Sequence, residues 1–285
     1  MRVTAVFPVR RMLSWFAPSV LLGACAGAPP PAPLVRPVAG PTISLLVNWH
    51  AKVLVDIHDS IVLSLPSGDH QVQQFEQNAV FTLDVANDGA VSIRLDSLTR
   101  HPSPDEVARV TSFQAAWTAR ANDIGVNAFR VLAGGEFAEG LTAFVRRLLP
   151  RFPVGGAHPG TMWSDSATGA VRVDIFTANE RRLATWTVGA LTQGGTETGV
   201  SVRVRETFEQ IGTGTQSGQQ VAMTSQGSRS AIYYSTKGVG LTSAELVDSA
   251  TTLISLPNSR QVVPTLRFSR ASVRFVAVQR DYPED

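Results

Sequence analysis

The groups best placed to do chemistry are histidines near carboxylates, and their spacing restricts what that chemistry would be. His50, Asp56 and His58 recur at even positions of one stretch, and Asp69-His70 follow the next turn. A metal site needs ligands that converge within a few Å. On an extended strand, eight residues separate His50 from His58 by about 26 Å at about 3.3 Å per residue. They cannot share an ion. Asp56 with His58, joined by His70, is the one remaining combination, and solvated strand residues are the simpler reading. Nucleophilic catalysis would draw on Thr161–Ser166 (TMWSDS) beside His158, but the chain has no G-x-S-x-G elbow and no S-x-x-K. That cluster is expected to be a turn entering a strand. GGTETG (194–199) and GTGTQSG (212–218) lie between strand-like runs with no lysine after them, so both read as hairpin turns rather than phosphate cradles. The acids are scattered, with no pair at a separation suited to glycoside chemistry. No catalytic residue, metal ligand or cofactor site is therefore assigned, and a non-enzymatic role is expected.

The lone cysteine is more informative. Arg2, Arg10 and Arg11 form a basic start with no acid, and Met12–Ala24 is an apolar run of 13 residues. A bilayer span needs about 20 apolar residues, so residues 1–24 read as a signal peptide. Leu22-Gly23-Ala24-Cys25 closes it. This resembles the bacterial lipobox: a leucine, two small residues and a cysteine. The resemblance implies a diacylglycerol on the Cys25 sulfur, cleavage before it and an acylated new N-terminus. Several acyl chains anchor firmly, because each buried CH₂ contributes about 0.8 kcal/mol. Ala26 stands where an aspartate is associated with inner-membrane retention. The resemblance thus implies lipid anchoring to a bacterial membrane, the outer one facing the periplasm. The mature domain matches no family of known activity, and its outline is only architecturally similar to lipid-carrier lipoproteins of the envelope.

Residues 25–41 continue as a tether rich in proline and alanine, with no hydrophobic periodicity. Extended at about 3.1 Å per residue, it reaches roughly 50 Å. The formal charge of +2 depends on the signal: without its three arginines, 22 basic side chains face 23 acidic ones, a net −1. That balance argues against a nucleic-acid footprint. With one cysteine the chain can form no internal disulfide, so the domain must be held by burial.

Residues 42–285 carry the elements that must position everything else. Val47, Trp49, Ala51, Val53, Val55 and Ile57 alternate with polar residues, a period of two that means a half-buried strand with odd positions inward. Asn87-Asp88-Gly89 marks a hairpin, and Ser103-Pro104-Asp105-Glu106 marks a short helix start. Phe137, Leu141, Phe144, Val145 and Leu148 share one face of an amphipathic helix ended by Pro150. Strand patterns fill the rest. The expected fold is mainly β: a strongly curved antiparallel sheet or open barrel with one or two short helices near the middle. VLVDI (53–57) and VRVDI (171–175) hint at two similar halves, about 42–135 and 150–285.

Tryptophans beside strands pack a core or line a groove. Leu141, Phe144, Leu148, Trp163 and Trp186 would border a space between helix and sheet. Filled by side chains, that space is the core; left open, it suits an acyl chain or another apolar ligand. The functional expectation is an anchored lipoprotein that binds an apolar or lipid-like ligand. The alternative is an envelope scaffold that contacts protein without a pocket, and a hydrolase ranks behind both.

Overall fold

The structure, a computed structural model, describes residues 42–43, 48–65, 67–101, 109–111, 114–120, 129–153, 155–190, 192–194, 197–216, 218–236, 240–255 and 262–278. The expected signal peptide, Cys25, the expected tether and the helix start expected at Ser103 lie outside the described residues.

The first strands are β1 (Trp49–Ser64), β2 (His70–Val85), β3 (Ala90–His101), β4 (Arg109–Thr111), β5 (Ala115–Arg120) and β6 (Arg130–Ala133). The helix α1 (Gly135–Val145) follows, then β7 (Met162–Val173), β8 (Phe176–Val188), β9 (Thr192–Gly194) and β10 (Glu197–Gln216). β11 (Gln219–Thr236), β12 (Gly240–Ser255) and β13 (Val262–Ala277) complete the order. All pair in one antiparallel sheet, β6-β5-β3-β2-β1-β13-β12-β11-β10-β8-β7, with β4 on β3 and β9 on β10. β1 pairs with β13 over its length, so the two ends of the domain meet in the middle of the sheet. Among the described residues β6 and β7 end this order and do not pair with each other.

Period two explains the pleat. Trp49, Ala51, Val53 and Val55 are buried and their even neighbours face outward. The Asn-Asp-Gly turn forms as its residues require: Gly89 has φ 79°, a conformation free of penalty only for glycine, and Asp88 Oδ1 accepts from Ala90 N–H at 3.0 Å. GTGTQSG differs from its expected role. Residues 212–216 belong to β10 and pair with β11 as far as Gln216 opposite Gln219. Gly212 is small because a Cβ there would stand 2.6 Å from the Thr177 carbonyl oxygen on β8.

α1 follows β6 and precedes β7, the two ends of the described strand order, and it packs against β5, β6 and β7. The Trp117 indole N–H, inward from β5, donates to the Ala138 carbonyl at 3.2 Å and the Thr142 hydroxyl at 3.0 Å. α1 ends at Val145, earlier than the periodic face reaching Leu148. Arg147 N–H and Leu148 N–H turn to the Phe144 and Val145 carbonyls at 2.9 and 3.1 Å, a tighter winding that swings the next side chains inward.

Candidate functional site

The interior of the curved sheet is layered. Toward the end where the domain begins, Phe81, Leu83, Ile93, Trp117, Leu148, Leu149 and Leu246 belong to an apolar core. Toward the β7–β8 and β10–β11 hairpins, Val171, Phe176, Val221 and Met223 form a smaller one. Between the two lies buried charge.

Inward positions of β8 run Glu180, Arg182, Ala184, Trp186 and Val188, so one parity carries two charged residues and then the core. β10 contributes Glu206 and Gln210 from the same face, and β11 contributes Arg229. Arg229 donates to Glu180 at 2.9 Å and to Glu206 at 3.0 Å. Arg182 donates to Glu206, and Gln210 to Glu180, each at 2.7 Å. The Arg229 guanidinium also lies 3.8 Å over the Phe208 ring.

From the opposite side the segment after α1 inserts arginines. Arg147 donates to Asp248 at 2.5 Å, Arg151 to Asp165 at 3.1 Å, and the Tyr233 hydroxyl to the Arg147 carbonyl at 2.7 Å. Burial alone would push the Arg229 guanidinium down, but Glu180 and Glu206 outweigh it and hold it above its ordinary value. Arg146, buried beside Arg151 and Arg229, is held below its ordinary value chiefly by burial, against the pull of Glu180. Burial raises the Tyr233 phenol, which stays a neutral donor. The arrangement clamps residues 146–151 to β7, β11 and β12 by charge-assisted hydrogen bonds.

Aromatic rings fill the space beside the clamp. Trp163 and Trp186 stack at 5.9 Å with an interplanar angle of 5°, and Trp186 stacks on Tyr233 at 6.3 Å. Phe144 stacks on Phe81 at 6.4 Å, and Phe81 meets Trp117 at 6.3 Å. Leu148 and Trp186 are 1% and 3% exposed, and Leu141, Phe144 and Trp163 pack half-buried on the same cluster. All five residues expected around a pocket are thus brought into one cluster, with Phe81, Trp117 and Tyr233 between them. A groove of about 680 Å³ lies elsewhere, where Arg181, Leu183, Gln226 and Ser228 point outward from β8 and β11.

The candidate chemical residues stay apart. His50 pairs with Asp84, His58 with Glu76 at 3.5 Å, and His70 with Ser64 at 3.3 Å, at three places along β1 and β2. Among the described residues no three His, Cys, Asp or Glu side chains are grouped to hold a metal ion. The backbone N–H of His158 donates to the Thr161 hydroxyl at 3.0 Å in the turn, Asp165 is taken by Arg151, and Ser164 faces Thr185. The buried charges escaped the sequence reading, although Glu180 and Arg182 share parity with Ala184 and Trp186 in a plain alternating run.

No family model matches the chain, and no curated protein does. Among solved structures, a multiply substituted porin of Rh. blastica has a TM-score of 0.24 and 6% identity, covering 79% of this chain and 100% of its own. OccK2 (OpdF) of Pseudomonas aeruginosa has a TM-score of 0.25 and 8% identity, covering 83% of this chain and 100% of its own. Pseudomonas aeruginosa OpdO has a TM-score of 0.21 and 9% identity, covering 82% of this chain and 99% of its own. Likeness at this level says nothing of what this chain does.

Proposed function

We propose that the chain is an envelope lipoprotein, acylated on Cys25 and tethered by residues 25–41, whose β domain is a solid, non-enzymatic module that works through its outer surface. The observation that carries this reading is the filled interior. The volume beneath α1 holds Trp117, Phe81 and Leu148, each at most 1% exposed, and the segment after α1 is clamped by Arg147 and Arg151. A carrier that takes its ligand there would have to displace a close-packed core. The scaffold alternative therefore gains over an internal ligand site. The lipobox at Leu22-Gly23-Ala24-Cys25 supports anchoring, with the outer membrane as the proposed location.

Anchoring is tested by substitution. Cys25→Ser should abolish incorporation of labelled palmitate and release the processed protein from the membrane fraction. Labelling and membrane association that both persist would overturn the lipoprotein reading.

A further inference from the structure

The strand register orders the outer groove of about 680 Å³. One rung reads Leu183, Thr207, Ser228, Ser249 and Phe268 on β8, β10, β11, β12 and β13, each directly opposite the next. At about 4.8 Å between strands it runs about 19 Å. The next rung toward the hairpins reads Arg181, Glu209, Gln226 and Thr251. The rung on the other side carries Arg205 on β10 and Arg270 on β13. The middle rung therefore sets short hydroxyl side chains between longer ones, which leaves a trough. Leu183 and Phe268, 55% and 50% exposed, stand at the two ends of that rung. Arg181, Glu209 and Gln226 are exposed and make no hydrogen bond or ion pair among the described residues. Their donors and acceptors are open to a ligand.

We propose that this groove binds a glycan strand, a chain of sugar rings carrying hydroxyl and amide groups. An acyl chain would strip water from Arg181 and Glu209 and return no hydrogen bond. A phosphate polymer would meet a carboxylate beside two of the three cations, since Glu209 is opposite Arg181 and Glu245 lies 3.6 Å from Arg270. A protein interface has an apolar centre and a polar rim. Here the order is reversed, with hydroxyls in the middle and apolar side chains at the ends. A sugar ring matches that order: its hydroxyls pair with carboxylate, amide and guanidinium groups, and its C–H faces lie on apolar side chains. Strands also hold such head groups more precisely than loops do. The proposal deepens the reading of a module that works through its outer surface, and it rests on that reading. In a bacterial envelope the polymer of this chemistry is the cell-wall glycan.

Titration calorimetry of the mature chain, residues 26–285 without the acylated cysteine, tests the groove. The probe is peptide-free glycan strands released from bacterial cell walls by an amidase. The chain should bind them. Glu209→Ala with Gln226→Ala should weaken binding roughly tenfold or more, and Glu76→Gln on the outer face of β2 should leave it unchanged. Circular dichroism must show every chain folded; should the double variant unfold, Phe268→Ala takes its place. A parent chain that ignores the strands overturns the proposal, as does a folded groove variant that binds equally. Sedimentation with intact cell walls but no binding to peptide-free strands would also overturn it and give the contact to the wall peptide. None of these outcomes depends on whether Cys25 is acylated, so a failed groove and a failed anchor are told apart.

Discussion

Replacing Arg229 by methionine is expected to destabilise the domain by about 3–5 kcal/mol, because it leaves buried carboxylates short of their cation. Glu180 is 3% exposed and Glu206 9%. Methionine keeps much of the packing on Phe208, so the loss reports the charge rather than a cavity. Glu206 retains Arg182 and Glu180 retains Gln210 as partners, which keeps the loss inside that range. Urea unfolding at neutral pH measures the change. Adding Glu180→Gln to the methionine variant should restore at least half of the loss, because the neutral amide no longer demands a cation. A loss under about 1 kcal/mol, the scale of an exposed pair, would mean that water reaches the network.

Trp117→Ala should cost about 3–5 kcal/mol by removing a fully buried indole. It should also loosen α1 specifically. The indole N–H is the hydrogen-bonded link from β5 to Ala138 and Thr142, and the helix stands between the two ends of the described strand order rather than inside a bundle. Amide exchange of residues 136–145 should then quicken at least tenfold more than that of β1 and β13. Trp117→Phe keeps most of the ring volume and loses the donor, so its cost should fall to about 1 kcal/mol. Equal acceleration in α1 and β13 would show that the helix and the sheet open as one unit.

The strands were legible because their chemistry is local. Alternation from Trp49 to Ile57 specifies which side chains face inward, and Asn87-Asp88-Gly89 specifies the turn. The course of the helix was legible from Phe137 to Val145. Its end was not: past Val145 the chain tightens, and Arg147 reaches Asp248, a partner 101 residues away that no local pattern records. The pairing of β1 with β13 is equally non-local, since no periodicity records which distant strands share a register. What Trp163 and Trp186 pack against was not legible from them alone, because Tyr233, stacked on Trp186, comes from another strand. The ion-pair layer was readable in part, as charge on the core-facing parity of β8, but its pairing required the fold.

The most direct test of a solid interior is mass spectrometry of organic extracts from the mature chain, residues 26–285, purified without detergent from a bacterial periplasm. The account predicts no apolar molecule bound one-to-one within the protein. A stoichiometric lipid, lost when Phe144→Asp is introduced beside Phe81, would contradict it.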